Sequence, residues 1–292
     1  LDIEAYPLLL STRENGIIAP YSVSFKKFNY VVVQATIGDK NYLLDATEEY
    51  LPIGLLPKRA LNGRGFMLNK ESFNWIDLDT EKKDKTSSIL NLKLSANGLL
   101  KGIWQNSSFE YAALDFRNNY KTFNNQDEYL KSIESKNNGL SIENYSLENF
   151  DSIDKSIKEE FSIVLKNKVT TVDNKMFISP ILIGKLTENP FKANERLYPV
   201  DFTNLNEKTQ VLRLELPNGY ELAQLPKNVK MVLPEKSASF QIQYSVTENI
   251  VQTVFKLNIN KPIFSQNEYP DLKAFYDELV NKQSEMLIIK KK

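Results

Sequence analysis

Phe240-Gln241-Ile242-Gln243-Tyr244-Ser245-Val246, then Glu248-Asn249, then Val251-Gln252-Thr253-Val254-Phe255-Lys256-Leu257-Asn258-Ile259: core-forming side chains hold the even positions of the first run and the odd positions of the second. Successive side chains of a strand point to opposite faces, so a period of two means one buried face and one wet face. Two such runs joined by a short polar turn predict an antiparallel hairpin. The same reading extends toward the N-terminus, where Leu212, Leu214 and Leu216 alternate up to the Pro217-Asn218-Gly219 turn and Val229, Met231 and Leu233 stop at Pro234. From about residue 189 onward the chain therefore reads as an antiparallel β-sandwich. A terminal helix is expected beyond it, with Asn267 as N-cap, Pro270 in the first turn and Leu272, Phe275, Tyr276 and Leu279 on one stripe. Leu287-Ile288-Ile289 then reads as a strand at a sheet edge.

Further upstream, Leu90, Leu92 and Leu94 alternate before Asn97-Gly98, and an apolar run follows over 99–104. That predicts a hairpin with a type I′ turn. Helices are expected over 108–120 and 126–136, the second with Tyr129, Leu130 and Ile133 at helical spacing. Phe161, Ile163 and Leu165 alternate again, and 176–183 reads as one strand. Near the N-terminus, 8–11 reads as a strand and 13–16 as a turn. A hairpin of 30–37 and 41–45 is expected across Gly38-Asp39-Lys40, and 50–65 forms a long ordered loop. The polar stretch 77–88 has almost nothing to bury and is the best candidate boundary. The expected organisation is 1–79, a first β-rich unit; 80–188, a hairpin with helices; and 189–292, the sandwich with its helix. The fold class is α+β and mostly β.

At 292 residues the chain exceeds the size of one ordinary core. Lys plus Arg and Asp plus Glu are 37 each, which removes the basic footprint that nucleic-acid or anionic-membrane binding requires. The chain has no Cys and no His. Disulfides, thiolate ligands, imidazole ligands and a side chain that titrates near neutral pH are all missing. No metal or cofactor is expected, and no EF-hand spacing, phosphate loop or Ser-centred nucleophile elbow occurs. No apolar run reaches the roughly 20 residues of a membrane-spanning helix. The opening Leu1-Asp2-Ile3-Glu4, without an initiator Met or signal peptide, is expected to belong to a fragment or processed product.

Candidate site residues are few. Trp75 and Trp104 are possible ligand platforms, against the ordinary role of such residues in packing. The doublets Glu48-Glu49 and Glu159-Glu160 are expected to be solvated, and Arg196, between Glu195 and Asp201, to make a structural salt bridge.

A series of short words runs through the chain in order: 5–13 (Ala-Tyr-Pro-Leu-Leu-Leu-Ser-Thr-Arg), Phe28-Asn29-Tyr30, Leu43-Leu44-Asp45-Ala46-Thr47, and 52–57 (Pro-Ile-Gly-Leu-Leu-Pro). Asn189-Pro190-Phe191, Arg196, 198–202 (Tyr-Pro-Val-Asp-Phe), 216–220 (Leu-Pro-Asn-Gly-Tyr) and Leu225-Pro226-Lys227 follow. With these words the chain resembles the C-terminal part of a family of envelope proteins that carry a transglutaminase-like core followed by β-rich domains. The resemblance implies that 1–79 is the C-terminal half of a papain-like or transglutaminase-like core, and that the protein is periplasmic or at the cell surface. It also implies positions for two members of a Cys-His-Asp triad, in which His activates the thiol and Asp orients the imidazole. Asp45 matches the Asp, and Tyr30 stands where the His belongs; in the family the Cys-bearing helix precedes Leu1.

A phenol with a pKa near 10 cannot replace imidazole as a base at neutral pH. The expected function is that of a pseudoenzyme: a non-catalytic scaffold that binds a protein or peptide partner in the envelope through the degenerate cleft or exposed sheet edges. Tyr30, Asp45, Trp75 and Trp104 are the binding candidates, with no metal site and no nucleic-acid partner. One alternative is the C-terminal portion of an active cysteine hydrolase or acyltransferase whose Cys lies upstream. Another is a carbohydrate-binding sandwich, which needs exposed coplanar aromatics on one sheet face.

Overall fold

The computed structural model describes residues 3–19, 21, 24–69 and 73–292. They form two compact units, one of residues 1–83 with 151–155 and the other of 84–150 with 156–292. The architecture is mostly β, with antiparallel sheets and a few helices.

The first unit is built on strands β1 (Glu4–Leu10), β2 (Tyr30–Ile37), β3 (Lys40–Leu44), β4 (Arg64–Leu68) and β5 (Phe73–Asp77), in the spatial order β3-β2-β1-β4-β5. All pairings are antiparallel. The register sets Leu8 against Val32 and Met67, and all three are buried. The opposite face leaves Val31 and Phe73 exposed. Ile37 pairs with Lys40, so the hairpin turn is the two residues Gly38-Asp39 rather than three. The loop after β3 is ordered around buried Leu55, Leu56, Ala60 and Leu61. Asn62 Nδ2 donates to the carbonyls of Ser11, Thr12 and Gly16, and Arg13 Nη1 to that of Leu61, which ties this loop to the end of β1.

The second unit contains β6 (Lys83–Leu94), β7 (Leu100–Phe109), α1 (Glu110–Tyr120), α2 (Gln126–Lys136), β8 (Leu140–Glu148), β9 (Ile157–Leu165), β10 (Val169–Val172) and β11 (Lys175–Ile178). It continues through β12 (Val200–Asp201), β13 (Leu205–Glu215), β14 (Tyr220–Gln224), β15 (Val229–Val232), β16 (Ala238–Thr247), β17 (Ile250–Ile259), β18 (Ile263–Phe264), α3 (Tyr269–Ser284) and β19 (Leu287–Lys291). Eight strands make one sheet in the order β15-β16-β17-β13-β6-β7-β9-β8. One face of it carries Leu90, Leu92, Phe161, Ile163, Leu212, Phe240, Ile242 and Phe255 into a single core. Met176 and Ile178 of β11, Ile289 of β19, and Leu272, Phe275 and Leu279 of α3 complete that core. The Phe240 and Phe275 rings meet edge to face at 5.1 Å.

The second expected boundary, at 188/189, falls inside this unit: β13 lies beside β6, so segments from both sides of it share a sheet. The polar stretch proposed as a linker is in part strand, because residues from Lys85 to Ser88 pair with β7 and keep their polar side chains at the surface.

Four local expectations are corrected. Asn97 keeps a negative φ and Gly98 alone is positive at +82°. With Leu94 paired to Leu100 and Gly98 N–H donating to the Ser95 carbonyl at 3.0 Å, the turn is a longer loop ending in a left-handed glycine, not type I′. The N-cap of α3 is Glu268 rather than Asn267, and its side chain turns back to accept from Ser265 N–H and Oγ and from Lys261 Nζ. The run 176–183 is strand only to Ile178. β19 is no edge, since it lies between β11 and β14. Among the described residues no helix is long and apolar enough to cross a membrane.

Candidate binding site at Tyr30 and Asp45

The β2–β3 hairpin creates the site. Val33 pairs with Leu44, and carrying that register three residues further sets Tyr30 opposite Thr47, just past the strand end. There the Tyr30 hydroxyl donates to Asp45 Oδ2 at 2.7 Å and lies 2.7 Å from Thr47 Oγ1. Asp45 Oδ1 accepts from Thr47 N–H at 2.8 Å and from Thr47 Oγ1 at 2.6 Å. Asp45 therefore both caps its own turn, as an Asp before a turn commonly does, and anchors the phenol.

A cation that the sequence reading did not single out completes the cluster. Arg59, in the single helical turn Lys58–Ala60, donates through Nη2 to the Tyr30 hydroxyl at 2.8 Å and to Thr47 Oγ1 at 2.5 Å, and through Nη1 to Glu48 Oε1. Its guanidinium carbon is 5.2 Å from the Tyr30 ring centroid. Burial pulls its pKa down, but the hydrogen bonds to Glu48 and Tyr30 and the charges of both groups outweigh that and hold it above its ordinary value. A guanidinium so held is a permanent donor and no base. Both Asp45 oxygens are already bonded, and the phenol already donates to Asp45 and accepts from Arg59. The arrangement can order a turn and present polar edges, and its acceptors are carboxylate and hydroxyl oxygens with no imidazole among them.

The other named residues go elsewhere. Trp75 is half-buried in an aromatic group on β4 and β5, 5.2 Å from Phe66 and 6.5 Å from Phe28. Phe66 and Phe73 stack nearly parallel at 5.6 Å. Trp104 is a core residue and not a platform: it stacks on Phe161 at 4.6 Å, and its Nε1 donates to Ser88 Oγ at 2.8 Å. Arg196 makes no ion pair among the described residues and instead lies over the Tyr269 ring at 5.7 Å.

Glu159 departs most from its expected solvated state. It is 6% exposed and accepts from the Tyr129 hydroxyl at 2.5 Å and the Tyr145 hydroxyl at 3.1 Å. Burial pushes its pKa up, partly offset by hydrogen bonds from Tyr129, Tyr145 and Asn106, while the same burial and the carboxylate raise both phenols. The signal was present in the sequence: Glu159 occupies the odd, inward phase set by Ile157, Phe161 and Ile163, and Glu160 the outward one. Among the described residues no group of acidic side chains could hold a metal ion.

Residues 174–289, all within the second unit, match the family model described as a domain of unknown function with a solved structure, DUF3858. Among solved structures, the crystal structure of a candidate protease from Parabacteroides distasonis ATCC 8503 aligns with 99% of this chain at a TM-score of 0.47 and 11% identity. The aligned chain spans 40% of that protein, and a similarity at this level supports no transfer of chemistry. No curated protein matches the chain.

Proposed function

We propose that this chain is a non-catalytic, protein- or peptide-binding part of an envelope protein with a transglutaminase-like ancestry and a degenerate active site. The observation that carries the reading is the closed network at Tyr30. In the position that the resemblance gives to a general base stands a phenol that is bonded to Asp45 and Arg59. A thiol nucleophile supplied from elsewhere would find no imidazole in it to take its proton, and losing such a base typically costs a factor of ~10² to 10⁴ in rate. The envelope location rests on the resemblance in short sequence words.

Binding needs none of the missing chemistry. β3, next to the network, is the terminal strand of its sheet, and an edge strand offers backbone N–H and C=O groups that an extended peptide can pair with. The reading is tested with an array of extended peptides screened against the protein, followed by N-methylation of alternate amides in any peptide that binds. Strand addition predicts a loss of about tenfold or more on N-methylation, the worth of a single hydrogen bond or two. Binding indifferent to N-methylation would overturn the edge-strand mode, and no peptide binding at all would overturn the binding role.

A further inference from the structure

Lys136, Lys168 and Lys185 border one cleft of about 560 Å³ in the second unit. They come from three separate places: the last turn of α2, the turn between β9 and β10, and the segment after β11. Among the described residues no carboxylate lines the cleft, and none of the three lysines is in an ion pair. In a chain whose charges balance overall, this is a local excess of positive charge.

The floor of the cleft is fixed in place, although it has no regular secondary structure. Ser179 Oγ donates to the Ile181 carbonyl at 3.0 Å, Gln210 Nε2 to that of Ile183 at 3.0 Å, and Lys208 Nζ to that of Gly184 at 3.1 Å. The Leu186 N–H donates to Gln283 Oε1 at 2.8 Å. Lys208 thus adds a fourth positive charge against the same segment. Burial lowers the pKa of Lys168, Lys185 and Lys208, with no anion to offset it. Partly desolvated ammonium groups without counter-charges gain most from an incoming anion.

We propose that this cleft binds a small molecule that carries an anionic phosphate- or sulfate-ester group. Lysine ammonium groups act as point charges toward such oxygens without demanding the planar fork of arginine. The volume suits a small molecule, within the roughly 300–1,000 Å³ of ordinary ligand sites. A long polyanion is disfavoured, because the balanced charge of the chain provides no extended basic track. The site lies in the other unit from the Tyr30 network and does not depend on it.

The test is an NMR titration of the ¹⁵N-labelled protein with inorganic phosphate, inorganic sulfate and a hexose 6-phosphate, each at constant ionic strength. The expected result is saturable movement of the Lys168, Gly184 and Lys185 amides, with half-saturation at or below ~10 mM for at least one probe. The Lys168→Gln/Lys185→Gln double variant should weaken binding about tenfold or more, and Lys101→Gln, whose lysine pairs with Glu143, should leave it unchanged. Tighter binding of the sugar phosphate assigns a phosphate ester, and tighter binding of sulfate assigns a sulfate ester. No saturable shift with any probe, or equal affinity in the correctly folded double variant, would overturn the proposal.

Discussion

At the scale of single residues, two places besides the lysine-lined cleft hold polar side chains bonded to one another. One is the Tyr30 network, half open to solvent. The other is Glu159, a carboxyl that holds its proton more tightly in the fold than in the unfolded chain, whose value lies near the ordinary 4.5. A raised carboxyl pKa contributes stability that is fully present below the unfolded value and is lost as pH rises through the folded value. Glu159→Gln keeps the shape and cannot titrate. The stability of the wild type relative to that variant, read from urea midpoints between pH 4 and pH 8, should therefore decline from about pH 4.5 upward and then level off. A difference that stays constant over this range would mean that the carboxyl is not desolvated. The site residues were partly legible: the hairpin spacing brings Tyr30 to Asp45 and Thr47. Arg59 was not legible, because it lies 29 residues from Tyr30 on a single helical turn whose placement depends on side-chain bonds from Asn62 and Arg13 that carry no periodic signal.

At the scale of elements, period-two patterning was dependable wherever one face is buried. β16 and β17 pair in the register implied by their alternation, Phe240 against Leu257 and Ile242 against Phe255. It failed on β8, where the apolar residues switch from even positions (Leu140, Ile142) to odd ones (Tyr145, Leu147) because an irregularity between Ile142 and Asn144 shifts the register against β9. It also placed β19 at an edge, since a five-residue strand says nothing about how many neighbours it has. One glycine shows how tightly the long sheet is built. Gly102 pairs with both Leu92 and Ile163, and a β-carbon there would run into the Asn91 carbonyl oxygen. Backbone cannot yield as a flexible side chain can. Gly102→Ala should lower the unfolding free energy by about 3 kcal/mol or more. A loss under ~1 kcal/mol in urea denaturation would show that β6 and β7 are not held this closely.

At the scale of the whole molecule, composition decided more about function than about architecture. Without Cys or His, thiol–imidazole chemistry is excluded within this chain, whatever its fold. The division into units was harder to read. The sequence shows that 77–88 is polar, but not that its second half becomes the start of β6, nor that β13 will come to lie beside β6 across more than a hundred residues of chain. Long-range strand order leaves no local signature, because any alternating strand can pair with any other of matching length. The functional account consequently rests on a local feature, the hydrogen-bonded phenol at residue 30, and is tested there. Peptide hydrolysis and amine transfer are measured for the complete gene product and its Tyr30→Phe variant. The account predicts turnover no faster than the uncatalysed background in both, and wild-type turnover abolished by Tyr30→Phe or by a thiol alkylator would contradict it.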